Sequence, residues 1–150
     1  MNLNSPLRMR LFLSVALITI STSGALADDW PTYRRDIART GISTEHITTP
    51  LSDEWVFTPL HGPSHAWGDP QPKEVEGNFE LPRMQFDDVF HTAVVGDGVY
   101  FASSSDNKVY CLDANSGQIR WEFCTDGPVR LAPTLAGGSV YVGSGDGKVY

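Results

Sequence analysis

An imperfect internal repeat is the feature that most limits the folds open to this chain. Residues 91–110 and 132–150 carry the same order of apolar and turn-forming residues, and both copies end in Lys-Val-Tyr. The copies are offset by 41 residues at Val99 and by 40 at Asp106, because the first has one extra residue in its serine run. Repeats of about 40 residues built from short strands are typical of blade arrays such as the β-propeller.

The first copy is predicted to contain four short strands separated by tight turns. Apolar, β-branched and aromatic residues are concentrated at 92–95, 99–102, 108–112 and 118–124, as in strands of a folded sheet. Between them stand Gly-Asp-Gly, Asp-Asn and Asp-Ala-Asn-Ser-Gly segments, whose residue types favour chain reversal. Residues 89–128 therefore predict one full antiparallel blade, and 129–150 predict an incomplete second one.

The last turn of the first blade carries the motif Cys111-x-Asp113-x-x-Ser116-Gly117-x-x-x-Trp121. It resembles the tryptophan-docking repeat, Ala-x-Asp-x-x-Thr-Gly-x-x-x-Trp, of the PQQ-type or quinoprotein-like β-propellers, a family that includes alcohol dehydrogenases and the BamB-type assembly factor. The resemblance implies that Asp113 and Gly117 shape the turn and that Trp121 packs between blades. A carboxylate beside turn amides, a glycine with left-handed freedom and a large ring suit these roles.

The resemblance covers roughly the whole chain after its leader and implies an all-β fold, a quinoprotein-like propeller of four-stranded antiparallel blades. A propeller has at least four blades, whereas 150 residues supply about one and a half. We therefore expect an amino-terminal fragment, with the remainder of its own propeller missing. A small independent β domain is the alternative, but it would leave 140–150 as an unpaired apolar edge.

The first 27 residues predict a cleaved secretory signal peptide. Arg8 and Arg10 precede a ten-residue apolar core, and Ala25-Leu-Ala27 has the form of a cleavage site. Ten apolar residues are too few to cross a bilayer. No cysteine stands directly after the site for lipid attachment, unlike in the BamB-type lipoproteins. We expect export to the periplasm or cell exterior, a mature chain from Asp28, and no membrane span after signal removal.

The chain is acidic, with eighteen acidic and eleven basic residues and a net charge of −7. Loss of Arg8 and Arg10 with the leader leaves nine basic residues and a net charge of −9. This excess argues against a nucleic-acid partner and against an anionic membrane surface. It does not identify the partner that the protein binds.

Residues 28–58 resemble the lead-in segment of quinoprotein propellers. Trp55-Val-Phe57 followed by a Gly-Pro pair repeats the order of Trp121-Glu-Phe123 followed by a second Gly-Pro pair. This parallel predicts an outer strand over 54–58. In this family such an early strand commonly completes the last blade and closes the ring, so its partner strands would lie beyond residue 150.

Residues 59–88 are predicted to form a long inserted loop, because they are polar, rich in proline and without strand periodicity. His61, His65 and Asp69 are candidate metal ligands. No helix fixes their spacing among the neighbouring glycines and prolines, so ordinary polar loop residues are the preferred interpretation. Trp67 is expected to pack this loop onto the propeller face.

The family that the sequence resembles also includes PQQ-dependent dehydrogenases, in which the quinone performs the chemistry beside a calcium ion. Those enzymes typically carry a calcium-binding Glu at the start of the first blade, and many have two adjacent cysteines after the docking motif. Here Phe90 takes the Glu position and Cys124 stands alone. Asp87 and Asp88 could bind calcium, but a solvated acidic turn is the preferred interpretation.

The two cysteines are predicted to be unpaired and mostly buried. If Leu112 lies opposite Ile119, then Cys111 lies opposite Arg120 and Cys124 lies opposite residue 107. The resulting offset of about 13 Å along the strands exceeds the reach of a disulfide.

We therefore expect an exported, PQQ-like repeat β-propeller that acts as a non-catalytic scaffold or binding module. Loops on the propeller faces would engage a protein or another ligand, and no catalytic, cofactor or metal residue is assigned in this sequence. The alternative is a PQQ- and calcium-dependent alcohol or sugar dehydrogenase whose cofactor residues lie mostly beyond residue 150.

Overall fold

The structure is a computed structural model, and it describes residues 28–66, 72–80 and 87–150. Within these ranges the chain forms eight β-strands and no helix, which confirms the all-β class. In chain order the strands are β1 (Lys73–Val75), β2 (Asn78–Glu80), β3 (Thr92–Val95), β4 (Gly98–Ser103), β5 (Lys108–Asp113), β6 (Ile119–Cys124), β7 (Thr134–Ala136) and β8 (Ser139–Tyr141). The signal peptide and its cleavage residues lie outside the described residues.

The first repeat forms a four-stranded antiparallel sheet in the order β3-β4-β5-β6. Each strand pairs with the next one along the chain, so the connections are three consecutive hairpins. β-branched and aromatic residues fill β4 and β5, which are the two central strands and are largely buried. This sheet is the predicted blade.

The blade has apolar contacts on both faces, because successive side chains of a strand point to opposite sides. On one face Phe101, Tyr110 and Leu112 form a buried cluster. On the other face Ala102 and Val109 join buried side chains that follow the blade in sequence. A sheet covered on both faces is the arrangement expected of a blade that stands between two neighbours.

The second repeat begins the same pattern. β7 and β8 form a hairpin, and a further bridge joins Gly143 to Val149. Val142 and Tyr150 exchange both backbone hydrogen bonds, at 3.0 and 2.9 Å. The segment that corresponds to β5 is therefore present as a short pairing at 148–150.

The predicted pairing of β5 with β6 is wrong by one residue over most of its length. Leu112 lies opposite Ile119 as predicted, but Cys111 lies opposite Trp121 and Cys124 lies opposite Lys108. The register shifts between Cys111 and Leu112, so Arg120 is the extra residue of a β-bulge.

Both cysteines are free thiols, as predicted, but only Cys111 is buried. The predicted burial of Cys124 is wrong. Every residue of β6 is exposed, because β6 is the outer edge of the sheet.

Part of the predicted 59–88 loop is a hairpin. β1 and β2 pair across Glu76 and Gly77, whose φ angles are 51° and 79°. Two successive positive φ angles suit the two-residue turns that match strand twist. Asp69 and Trp67 lie outside the described residues.

The lead-in segment joins the two repeats at their inner strands. Trp30 exchanges backbone hydrogen bonds of 2.6 and 2.9 Å with Val94 of β3, and the Pro31 carbonyl accepts the N–H of Leu135 of β7 at 2.8 Å. Residues 54–58 take part in no strand ladder in the described part of the chain, and their role in closing a ring stays a prediction.

Candidate functional site

The turn between β5 and β6 is organised by Asp113. Its Oδ1 accepts the N–H groups of Asn115 and Ser116 at 3.0 and 2.9 Å and the Ser116 hydroxyl at 3.0 Å. Gly117 has a φ of +68° and donates its N–H to the Asp113 carbonyl at 2.8 Å. Arg120, and then Ser116, lower the pKa of Asp113 to about 2 by hydrogen bonding to its carboxylate.

The tryptophan that rests on this turn is Trp55 from the lead-in segment. Its indole Nε1–H donates to the Ala114 carbonyl at 2.7 Å. A Cβ built on Gly117 would lie 2.5 Å from Trp55 Cε3. Glycine is therefore required at position 117 for two reasons. Its backbone is left-handed, and a side chain would collide with the Trp55 ring. The sequence pattern related Trp55 to Trp121 but did not predict that Trp55 packs on the β5–β6 turn.

Trp121 lies away from its own turn and faces the second repeat. Its ring centroid is 6.0 Å from that of Tyr100, and the residue stays 39% exposed. With Phe123, Val140 and Tyr150 it lines a groove of about 460 Å³ between β6 and the second repeat. The motif residues therefore divide between two sites, a turn that receives Trp55 and an outer strand that presents Trp121.

The bulge residue Arg120 ties two turns of the blade together. Its guanidinium donates to both Asp97 carboxylate oxygens at 2.9 and 2.6 Å and to Asp113 Oδ2 at 2.5 Å. Hydrogen bonding from Arg120 also lowers the pKa of Asp97. At the bulge, this one side chain lies within hydrogen-bonding distance of both carboxylates.

A carboxylate and tyrosine pair recurs at the same place in both repeats. Tyr110 donates its hydroxyl to Asp106 Oδ2 at 3.0 Å, and Tyr150 donates to Asp146 Oδ2 at 2.6 Å. The Tyr150 hydrogen bond lowers the pKa of Asp146 to about 2. The sequence repeat is therefore also a repeat of side-chain contacts.

The two histidines of the inserted loop contact different carboxylates. His61 Nδ1 lies 2.6 Å from Asp106 Oδ1, and His65 Nε2 lies 3.8 Å from Asp88 Oδ1. In the part of the chain that the structure describes, no three His, Cys, Asp or Glu side chains converge as a metal site.

Asp87 is buried and paired, so the predicted solvated acidic turn is wrong at this residue. Its side chain is 5% exposed. Arg130 Nε donates to both carboxylate oxygens at 2.7 and 3.0 Å, and the Ala66 N–H donates at 3.1 Å. Asp88 is exposed, as predicted. The missed partner, Arg130, is 43 residues away in sequence.

Two described positions at the start of the first blade bear on the calcium site of the dehydrogenases that the sequence resembles. Phe90, at the position of the family's calcium-binding Glu, packs with its ring centroid 5.0 Å from that of Phe101. Arg130 binds the buried carboxylate of Asp87, three residues before Phe90. A cation would have to displace the Arg130 guanidinium from that carboxylate.

The blade, the repeated contacts and the turn motif define a partial β-propeller built from PQQ-like repeats. A family model described as outer membrane protein assembly factor BamB matches residues 65–150, which is more than half of the chain. The chain therefore belongs to this family of PQQ-like repeat proteins.

Two curated relatives share a shorter stretch. Both are named serine/threonine-protein kinase AfsK, one from Streptomyces coelicolor and one from Streptomyces griseus. Each is 46% identical to this chain, over 56 and 54 residues respectively. These stretches are 37% and 35% of the present chain. The matched stretch spans 7% of each kinase, so the likeness is local. Within the described ranges, no helix has the length and hydrophobicity to cross a membrane.

Proposed function

We propose that the protein is an exported, non-catalytic β-propeller scaffold that binds a protein partner. The observation that carries this proposal is the ion pair of Asp87 with Arg130, three residues before the apolar Phe90. These contacts use the local carboxylate for structure and leave it unsuited to a catalytic ion. Membership of a family described as an assembly factor supports a protein-binding role.

The partner surface in this proposal is the loop face, defined as the end of the sheets where β3 and β7 begin. Antiparallel pairing brings the β4–β5 turn and the end of β6 to this same end. Ser104 and Ser105 of that turn donate to carbonyl groups of the inserted loop at 2.8 Å. Long loops at one end of a rigid sheet are the usual place for recognition.

A reconstitution experiment tests the absence of catalysis. The full-length protein is incubated with PQQ, calcium and a panel of alcohols and sugars, and reduction of an artificial electron acceptor is followed. We expect no reduction above the rate of the heat-denatured protein. Calcium-dependent reduction would establish the dehydrogenase and overturn the scaffold proposal.

A photo-crosslinking experiment in the producing cells tests the partner surface. The photoreactive residue replaces Leu131, which is 74% exposed on the loop face. The matched control replaces Asn115, which is exposed on the opposite end. We expect a discrete protein adduct from position 131 alone. Equal adducts from both positions, or none from position 131, would contradict a partner on the loop face.

A further inference from the structure

A cavity of about 550 Å³ opens where the lead-in segment meets the starts of both repeats. The polar and aromatic side chains around it come from three parts of the chain: Thr32, Tyr33 and Arg39, then His91, then Thr134 and Tyr141. Its volume falls in the range of small-molecule sites, about 300–1,000 Å³. The turn motif does not use this cavity, and the proposed partner surface shares only Leu131 with its wall.

The lining carries a cation and no carboxylate, although the chain is strongly acidic. Arg39 belongs to it, and no aspartate or glutamate is among the residues that line it in the described part of the chain. Arg39 donates Nη1 to the Tyr33 carbonyl at 2.7 Å and to Thr32 Oγ1 at 3.1 Å. These acceptors are neutral, so they orient the guanidinium without cancelling its charge.

Three other arginines of the described chain differ from Arg39 in that each forms a salt bridge. Arg35, Arg120 and Arg130 each bind an aspartate, at 2.9, 2.6 and 2.7 Å respectively. Arg39 forms no salt bridge with any described residue, and its Nε and Nη2 donate to none of them. Its guanidinium therefore keeps donors for a carboxylate from outside the chain.

The backbone around Arg39 is held in place by its own contacts. Arg39 has a φ of 59°, and Arg34 and Arg35 also lie in the left-handed region, at 57° and 73°. Asp36 accepts the Thr40 N–H at 3.0 Å. A strained backbone of this kind persists only where surrounding contacts fix it, and such places are often ligand sites.

The lead-in residues next to Arg39 also span both repeats. The Thr32 and Thr134 hydroxyl groups lie 2.9 Å apart, so the lead-in is bonded to β7 at the cavity itself. The Tyr33 ring meets His91 edge to face at a centroid distance of 6.0 Å. The cavity walls are therefore connected to one another before any ligand enters.

The remaining wall is apolar, with Leu131, Val142 and Val149 on it. We infer that this cavity binds a small organic monocarboxylate, with the carboxylate on Arg39 beside His91 and a short apolar body against Val142 and Val149. The planar guanidinium fork matches the two oxygens of a carboxylate. This site goes beyond the proposed protein contact, because the residues that would hold the ligand, Arg39, Val142 and Val149, take no part in that contact.

Benzoate is the probe, and isothermal titration of the full chain is the measurement. Benzamide has nearly the same shape without the charge, so we expect it to bind at least about tenfold more weakly. Arg39→Gln is expected to weaken benzoate binding by a similar factor. Arg34→Gln is the matched control, because Arg34 lies in the same loop outside the cavity lining, and we expect its affinity to stay within about twofold.

A second variant guards against a folding defect in Arg39→Gln. Val149→Glu changes a residue that is 77% exposed and places a negative charge on the cavity wall. We expect benzoate binding to fall below detection while the circular dichroism spectrum is unchanged. Equal affinity for benzoate and benzamide, full binding by Val149→Glu, or no binding of benzoate at all would each overturn the inference. None of these results bears on the crosslinking outcome at position 131.

Discussion

At the residue scale, Gly117 carries two constraints at once, because its backbone is left-handed and the Trp55 ring lies against its Cα. We predict that Gly117→Ala lowers the free energy of unfolding by about 1–3 kcal/mol through backbone strain and the displaced ring. Urea unfolding followed by tryptophan fluorescence measures the change.

Gly96 supplies the matched control for Gly117. Its φ is also positive, at 56°, but no atom lies within 4 Å of a built Cβ. Gly96→Ala should therefore lower the free energy of unfolding by about 1 kcal/mol, through backbone strain alone. If the two variants unfold at the same urea concentration, the Trp55 contact contributes nothing to stability.

The Asp113 carboxylate makes the stability of the blade depend on acid pH. Its pKa is lowered from 3.8 to about 2 in the folded chain. The ionised carboxylate therefore stabilises the fold at pH values above its pKa in the unfolded chain. That contribution is lost as pH falls from about 4 to about 2. We predict that Asp113→Asn removes part of this pH dependence from the urea midpoint. Ser52→Ala changes an exposed lead-in residue that has no titratable group, and it should leave the pH curve unchanged.

Sequence reasoning at this scale identified which residues shape the turn but not the long-range pairs. Asp113 and Gly117 act within five residues of each other, so their types alone indicate a turn. The Asp87–Arg130 and His61–Asp106 contacts join residues 43 and 45 positions apart. Such pairs depend on how loops meet across a face, and a single sequence carries no local signal for that.

At the element scale, the β-bulge at Arg120 links the β3–β4 turn to the β5–β6 turn. The same two turns also share a backbone bond from the Ala114 N–H to the Asp97 carbonyl at 2.8 Å. We predict that Arg120→Ala speeds amide exchange at Ala114 about two- to fivefold, because an exposed ion pair makes a modest contribution. Hydrogen-exchange NMR at residue resolution measures the rate.

An amide at the other end of the blade controls for a general loss of stability. Thr125 donates its N–H to the Asn107 carbonyl at 2.8 Å, far along the strands from the bulge. Its exchange rate should be the same in Arg120→Ala and in the unmodified protein. Faster exchange at both amides would mean that Arg120 stabilises the whole sheet and not the pair of turns.

The strands were predictable from sequence where turn residues bracket them. Gly96 and Asp97 stand between the end of β3 and the start of β4. The Val-Tyr pairs at 99–100, 109–110 and 140–141 fall inside strands. The bulge was not predictable, because one extra residue leaves the alternation on either side intact. The β1–β2 hairpin did have a signal, the Glu76-Gly77 pair between Val75 and Asn78, but the prolines of the surrounding loop obscured it.

At the scale of the whole molecule, the predicted leader is expected to direct the protein to export. We predict that the exported chain begins at Asp28, as measured by amino-terminal sequencing of the periplasmic or secreted fraction. Ala27→Phe should block cleavage, because the site requires a small residue at that position. Leu26→Phe changes the neighbouring, tolerant position and should be cleaved normally. Cleavage of Ala27→Phe at the same bond would contradict the assigned site.

The lead-in segment contacts the first repeat in the same way that the first repeat contacts the second. Ser105 donates its hydroxyl to the Gly62 carbonyl, and Gly145 donates its N–H to the Pro128 carbonyl, both at 2.8 Å. In each case a Gly-Pro segment that follows a Trp-x-Phe sequence contacts the turn of the next repeat. This equivalence is what we would expect if 54–58 takes the outer-strand position of a blade before the first.

Ring closure by this segment makes a measurable prediction for a longer protein. Amides at 54–58 should be protected from exchange when the downstream blades are present, because an outer strand would then be hydrogen-bonded on one side. The 150-residue chain should exchange them rapidly. Equal, fast exchange in both proteins would contradict closure by this segment.

The contacts of Trp30 and Pro31 with β3 and β7 also constrain the order of folding. Their partners, Val94 and Leu135, lie about 64 and 104 residues downstream, and contacts at such separations form slowly because large loops must close first. The hairpins of the first repeat need only their own neighbours. We therefore expect the lead-in segment to be among the last to reach its final position. Ile37, Ile42 and Ile47 would stay exposed to chaperones until it does.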